Sequence, residues 1–185
     1  MFTIIAFYTI DTPYQDEVKI LEASVKKLTE DVEIYVRGYV TTGSWVTNCG
    51  LKPQFILDYL IGHTEDVLYL DADAIIHSYP RYFDTFTGDI GVHYKDGKQL
   101  LSGTIFLKNN EKVIRLLKLW VKEQKANPKD WDQKILQRLL EVNKWIDVVK
   151  IPGKFTKIFD MMPETTETVI EHFQASRRFR KVVGQ

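Results

Sequence analysis

Asp71 and Asp73 stand two residues apart at the end of an apolar run, Val67-Leu68-Tyr69-Leu70-Asp71-Ala72-Asp73-Ala74-Ile75-Ile76. A buried strand is built from Val, Ile, Leu and Tyr, and it has no use for two carboxylates at its end unless something cationic sits there. In an extended chain, i, i+2 spacing puts both side chains on one face, where they reach a single ion. Oxygen ligands of this kind suit Mg²⁺ or Mn²⁺ shared with phosphate oxygens and water. These residues point to a divalent-metal site that holds a nucleotide diphosphate. D-x-D is a short pattern, and two other readings stay open beside it. One is an ordinary solvated loop after a strand. The other is a phosphatase or phosphotransferase that uses the carboxylates as nucleophile and general acid.

Elements able to position such a pair alternate along the chain. Residues 2–8 read as a buried first strand. Thr12, Pro13 and Gln15 then mark a helix start, with Thr12 as N-cap and Gln15 closing a capping box. Val18, Leu21, Val25 and Leu28 form one apolar helical face, and residues 32–36 alternate as a second strand. Residues 38–50, with Trp45 and Asn48, look irregular, and Pro53 opens a short helix. Residues 90–94 and 104–107 read as strands joined through a turn at 95–98. A helix over 110–125 buries Val113, Leu116, Leu117 and Trp120, and Asp130 caps another with Gln133 at its third position. Late strands at 145–151 and 168–173 precede a basic tail at 176–181. The economical fold is one α/β domain over 1–185, with a mixed, mostly parallel sheet flanked by helices.

Composition narrows the function classes. The chain has 185 residues, enough for one domain with a real core, and 25 basic residues balance 25 acidic ones. No global field draws it to nucleic acid, and no nucleic-acid partner is expected. Cys49 is the only cysteine, which excludes an internal disulfide and a cysteine-rich zinc site. The apolar N-terminus lacks the basic start and cleavage site of a signal peptide, and no apolar run approaches membrane-spanning length. The expectation is a soluble cytoplasmic protein.

Several pieces, in order, resemble the GT-A nucleotide-diphospho-sugar glycosyltransferases, particularly small members similar to glycosyltransferase family 8. They are Tyr8-Thr9-Ile10-Asp11-Thr12-Pro13-Tyr14 at the base-binding loop and Asn48-Cys49-Gly50-Leu51-Lys52-Pro53 at a basic helix start. Asp71-Ala72-Asp73 follows as the D-x-D, then Leu101-Ser102-Gly103-Thr104, Asp132-Gln133 and Glu171-His172-Phe173. Leu101 stands where that family commonly has Asn, and Arg177-Arg178-Phe179-Arg180-Lys181 replaces its common Lys-Pro-Trp.

The resemblance implies a single GT-A (Rossmann-like) domain and a metal-dependent transferase. The donor would be a nucleotide sugar, a UDP-sugar, and the acceptor a hydroxyl on a carbohydrate, lipid or protein. A front-face substitution would retain the anomeric configuration. It implies Asp71, Asp73 and His172 as ligands of Mn²⁺ or Mg²⁺, and Asp132 and Gln133 as catalytic residues near the sugar. Tyr8, Thr9, Tyr14, Lys52, Asp71, Ala72, Asp73, Ser102, Gly103 and Arg177 would bind the donor. The basic tail of Arg177, Arg178, Arg180 and Lys181 would close over the diphosphate or touch an anionic membrane surface. A non-catalytic sugar-nucleotide-binding module on the same fold is a further alternative. Trp120 and Trp131 are expected in packing, Trp45 in a cleft or loop anchor, Cys49 as an inert thiol, and His63, His77 and His93 as structural or exposed.

Overall fold

Alternation along the strands decides which layer each residue serves. In β1 (Phe2–Thr9), Phe2, Ile4 and Ala6 enter one buried cluster while Ile5 and Phe7 enter another. In β3 (Asp66–Leu70), Leu68 and Leu70 join the first cluster, and Val67 and Tyr69 the second. The computed structural model describes residues 2–162 and 167–180. Its other strands are β2 (Ile34–Tyr39), β4 (Ala74–Ile76), β5 (Ile90–Lys95), β6 (Gln99–Leu107), β7 (Val148–Lys150), β8 (Lys157–Ile158) and β9 (Ile170–His172). The helices are α1 (Tyr14–Val25), α2 (Trp45–Cys49), α3 (Lys52–Gly62), α4 (Glu111–Ala126), α5 (Asp132–Val142) and α6 (Ala175–Arg180).

A six-stranded sheet runs in the order β2-β1-β3-β6-β5-β7. β1 is parallel to β2 and β3, β5 is parallel to β7, and β6 is antiparallel to both its neighbours. The expected mixed α/β sheet, mostly parallel, is the fold observed. Helices α3, α4 and α5 cover one face through Phe55, Leu116, Trp120 and Ile135. Helix α1 covers the other through Val18, Leu21 and Val25, beside a small sheet ordered β4-β9-β8.

Local details differ from expectation for identifiable reasons. Helix α1 begins at Tyr14, with Pro13 rather than Thr12 in the capping position. The Thr12 hydroxyl instead donates to the Thr9 carbonyl at 2.7 Å and accepts the Tyr14 N–H at 3.3 Å, closing the turn after β1. The Gln15 side chain reaches back to the Asp11 N–H, where Asp11 holds a left-handed φ of 59°. Asp130 does not cap α5, because its carboxylate accepts from Arg138 at 3.0 Å and Trp131 takes the cap position. The stretch 38–50 contains α2, started by a reciprocal Ser44–Thr47 capping box. The late strands are shorter than expected, at Val148–Lys150 and Ile170–His172.

Asp89 ties the far edge of the sheet together. Its carboxylate accepts the Asp147 N–H at 2.8 Å, the Asn110 side-chain amide at 2.9 Å and Lys112 at 3.2 Å. Burial pushes its pKa up, but these donors win and leave it below the ordinary carboxylate range. A depressed native pKa adds stability that is present above the unfolded-state value and lost as pH falls through the native one. Asp89→Ala should therefore cost about 2 kcal/mol at neutral pH. Urea denaturation of both proteins should show that gap closing below about pH 4.

Candidate active site

The two aspartates of the D-x-D leave β3 in a tight turn. The Ala74 N–H donates to the Asp71 carbonyl at 3.0 Å, so the chain folds back at once into β4. The extended i, i+2 arrangement expected from spacing is absent, and the carboxylates meet different neighbours. Asp71 Oδ1 accepts the Tyr69 hydroxyl at 2.8 Å and lies 3.1 Å from Lys52 Nζ. Asp73 Oδ2 accepts the Ala175 N–H at 2.8 Å, and the Asp73 carbonyl accepts the Phe173 N–H at 3.2 Å. Its Oδ1 stands 3.7 Å from His172 Nδ1. Burial raises the Asp73 pKa, yet His172 and the Ala175 N–H outweigh it and hold the carboxyl below its ordinary value.

Behind Asp71 sits a buried cation. Lys52, 2% exposed, is the first residue of α3, where the helix dipole disfavours positive charge. Four acceptors offset that cost: Asp132 Oδ2 at 2.8 Å, the Ser102 carbonyl and Oγ at 3.0 Å each, and Asp71 Oδ1. The ammonium also lies 5.1 Å from the Tyr69 ring centroid. The Ser102 hydroxyl donates to Asp132 Oδ2 at 2.8 Å. Burial works to lower the Lys52 pKa, but the Asp132 and Asp71 charges prevail and keep it raised. Burial, then Asp71, likewise drives the Tyr69 phenol well up, so it remains a donor.

His172 reaches this turn because β9 pairs antiparallel with β4, placing Ala74 opposite it. Its Nε2 shares a hydrogen bond with the Thr104 hydroxyl at 2.8 Å, which orients the ring. Gly103 leaves the intervening space open: a Cβ there would lie 3.2 Å from His172 Nδ1 and 3.3 Å from Asp71 Oδ2. Two carboxylates and an imidazole form a donor set suited to Mn²⁺ or Mg²⁺ with phosphate oxygens. Among the described residues, no three His, Cys, Asp or Glu side chains are already drawn together as a metal-binding group.

These residues face a cleft of about 470 Å³ along the ends of β1, β3 and β6. Tyr8 and Thr9 line it from β1, Tyr14 from α1, Asp71, Ala72 and Asp73 from the turn after β3, Ser102 and Gly103 from β6, Gln133 from α5 and His172 from β9. Gly38 in β2 leaves room for the Tyr8 ring and for Ile10, since a Cβ there would lie 3.0 Å from the first and 2.9 Å from the second. Burial and then the Asp73 charge push the Tyr14 phenol up. Asp132 is not among the lining residues: it is 5% exposed and committed to Lys52 and Ser102. Arg177 lines the cleft but pairs with Asp160 through both terminal guanidinium nitrogens, at 2.9 and 2.5 Å. The side chains of Arg178 and Arg180 and all of Lys181 lie outside the described residues.

Trp131 departs from its expected packing role: it is 37% exposed and lines the cleft. Trp120 is fully buried, as expected, and Trp45 lines the cleft. Tyr69 and Thr104 were not singled out from sequence, although Tyr69 lies two residues before Asp71, at the strand spacing that brings side chains together. His63 and His93 bond to backbone carbonyls and His77 to Glu171, in structural roles. Burial and then Asp132 raise the Cys49 pKa, which keeps its thiol unreactive.

The sequence pattern of nucleotide-diphospho-sugar transferases matches residues 7–152, from the end of β1 through β7. The chain belongs to that family. The transferase is also similar in fold to a glycosyltransferase involved in glycosylation of the major capsid of PBCV-1. That match has TM-score 0.74 and 14% identity and covers 98% of each chain. The glycosyltransferase GlyE of Streptococcus pneumoniae TIGR4 matches at TM-score 0.66 and 16% identity, over 94% of this chain and 55% of that one. A galactosyltransferase LgtC complex with donor and acceptor sugar analogues matches at 0.59 and 13%, over 100% and 95%. No protein of curated function matches the chain. The transferase is a nucleotide-sugar-dependent glycosyltransferase of GT-A architecture rather than a phosphatase. No helix among its described residues is long and apolar enough to cross a membrane.

The Lys52 network makes a stability prediction. Lys52→Met keeps the apolar stem but leaves Asp71 and Asp132 facing each other without a cation, and should cost about 3 kcal/mol or more. Lys52→Met combined with Asp132→Asn should recover at least about 1 kcal/mol of that loss. Chemical denaturation of the two single variants and the double variant measures it, and simple additivity would refute the coupling.

Proposed function

We infer that this chain moves a sugar from a nucleotide-diphosphate donor, a UDP-sugar, to a hydroxyl acceptor, with a divalent metal, Mn²⁺ or Mg²⁺, at Asp71, Asp73 and His172. The observation that carries the reading is the space at Gly103, bordered by Asp71 Oδ2 and His172 Nδ1. Both atoms lie within contact distance of that one position, and Asp71, Gly103 and His172 all line a cleft large enough for a nucleotide sugar. A small residue at that place is what an ion and a diphosphate need in order to approach the backbone. The resemblance to small members of glycosyltransferase family 8, and the donor and acceptor analogues named for the LgtC complex, support the same assignment.

Each group then has a task. Tyr8, Thr9 and Tyr14 receive the nucleoside on the β1 side, with Tyr14 a protonated donor. Lys52 acts behind Asp71: its ammonium holds the carboxylate in place, and Ser102 and Asp132 hold that ammonium. Asp132 is thus a positioning residue, and Gln133, which lines the cleft, is the side chain of this pair that meets the sugar. A bound ion would offset the charge that grows on the departing diphosphate. The bond from the anomeric carbon to the diphosphate oxygen breaks, and the acceptor oxygen bonds to that carbon from the same face. The acceptor proton passes to the departing phosphate oxygen. Asp71 and Asp73 are the only carboxylates among the described lining residues, and both are assigned to the ion. Among the described lining residues no further carboxylate is left to act as a nucleophile, which is compatible with this front-face route. Arg177 exchanges Asp160 for the diphosphate when donor binds.

Calorimetric titration of UDP with and without Mn²⁺ tests the assignment. Asp71→Asn and Asp73→Asn should lose the metal-dependent gain in affinity, by about tenfold or more, and His172→Ala should lose less of it. Gly103→Ala should keep the melting temperature within a few degrees and still lose that gain, because its methyl occupies the shared space. Unchanged Mn²⁺-dependent affinity in Asp71→Asn, Asp73→Asn and Gly103→Ala would overturn the reading.

A further inference from the structure

Away from the cleft, the main sheet ends in two very different edges. At one, β7 is three residues long and carries Lys150, and a short basic edge resists further strands. At the other, β2 offers six residues, Ile34-Tyr35-Val36-Arg37-Gly38-Tyr39, without proline or lysine. No strand among the described residues lies beyond it. The Ile4 N–H donates to the Glu33 carbonyl at 2.9 Å, and the Ile10 N–H to the Tyr39 carbonyl at 2.8 Å. Between those bonds the register runs unbroken from Ile4 and Ile34 to Thr9 and Tyr39. The polar groups of successive strand residues point alternately to opposite sides. Glu33, Tyr35, Arg37 and Tyr39 therefore bond to β1, and Ile34, Val36 and Gly38 turn their N–H and C=O groups outward.

The side chains along this edge are charged in a complementary order. Glu33, Tyr35 and Arg37 are exposed and share one face. Tyr35 is 39% exposed, its ring 5.1 Å from that of Tyr59 and 6.2 Å from that of Phe55. Arg37 lies over the Tyr39 ring at 5.0 Å. Neither Glu33 nor Arg37 has an ion-pair partner among the described residues. Four residues apart on an extended chain, they stand roughly 13 Å from each other and cannot pair within one molecule.

A second copy running antiparallel supplies both partners. With Tyr35 opposite Tyr35 on a two-fold axis, Ile34 faces Val36 twice, and their outward groups bond to each other. Glu33 then faces Arg37 twice, at positions where opposed side chains come closest. Sliding the copies by one residue turns the outward groups toward residues already engaged with β1. Sliding them by two, either way, separates Glu33 from Arg37.

We propose that β2 is a self-association edge, and that its partner is a second copy of this chain paired antiparallel about Tyr35. The two main sheets become one, through an isologous interface. The clefts, at the ends of β1, β3 and β6, then open at opposite ends of the joined sheet and leave each other free.

Sedimentation velocity on the full chain, from about 1 to 200 µM, should show the parent shifting toward twice its mass. Arg37→Glu and Glu33→Arg, each setting like charges opposite one another at two positions, should weaken association about tenfold or more. The double variant Glu33→Arg/Arg37→Glu should restore it, and an equimolar mixture of the two single variants should form a heterodimer. Mild oxidation should link Tyr35→Cys into a disulfide dimer, because the two-fold axis brings its Cα atoms within bridging distance. Val40→Cys and the parent, which carries only Cys49, should stay unlinked. A parent that remains monomeric throughout would overturn the proposal and leave this edge to a strand from another protein. A dimer as tight in Arg37→Glu as in the parent would place the contact on another surface. Tyr35→Cys crosslinking no faster than Val40→Cys would refute the register, and this arm holds even if a charge variant fails to fold.

Discussion

One buried ammonium organises the centre of this molecule. Lys52 lies at the start of α3, almost sealed from water, and is stable there because Asp71, Asp132 and Ser102 surround it. Removing a charge from water costs several kcal/mol, and the cost is met only when partners are close and fully bonded. Each partner comes from a different element: the turn after β3, the start of α5, and β6. The ammonium thus fixes the relative positions of three elements that meet at the mouth of the sheet. Few alternative packings could satisfy all four groups at once, so the network specifies the site's geometry as well as stabilising it.

Asp71 and Asp73 illustrate how a turn divides two similar residues between two tasks. Asp71 is anchored through one oxygen to Lys52 and Tyr69, with its other oxygen toward Gly103. Asp73 is held by the junction between β9 and α6, where Gln174 takes a left-handed φ of 46° and the Ala175 N–H meets the carboxylate. A non-glycine residue in that region is strained unless its surroundings compensate. Here the compensation includes a charge-assisted bond to the carboxylate. The C-terminal segment is thereby linked directly to the centre of the cleft.

The two faces of the main sheet contribute differently to the site. The face packed by α3, α4 and α5 supplies Lys52, Asp132, Gln133 and Trp131, whose ring meets Trp45 of α2. The opposite side supplies His172 through the small sheet. The cleft therefore lies where the two layers meet at the ends of β1, β3 and β6, and its walls belong to separate cores. Side chains on such walls are each supported by their own packing, a condition for holding them in place without substrate.

The sequence alone determined the strand and helix alternation, because hydrophobic period and turn residues are local properties. It also marked Asp71 and Asp73, since acidic side chains at the end of a buried strand have no packing purpose. The order of short motifs placed Lys52, Ser102, Gly103, Gln133 and His172 in the cleft region where the structure brings them. Only tertiary structure decided how they act. The spacing of Asp71 and Asp73 suggested a shared strand face, but pairing between β4 and β9 folds the segment into a turn. Asp132 looked like a group facing the sugar, yet its nearest cation, Lys52, is eighty residues away in sequence and draws it inward. Trp131 looked like core by its type, but its position at the cap of α5 leaves it facing the cleft. These outcomes depend on which distant groups meet and on where burial is incomplete, and neither is written in local periodicity.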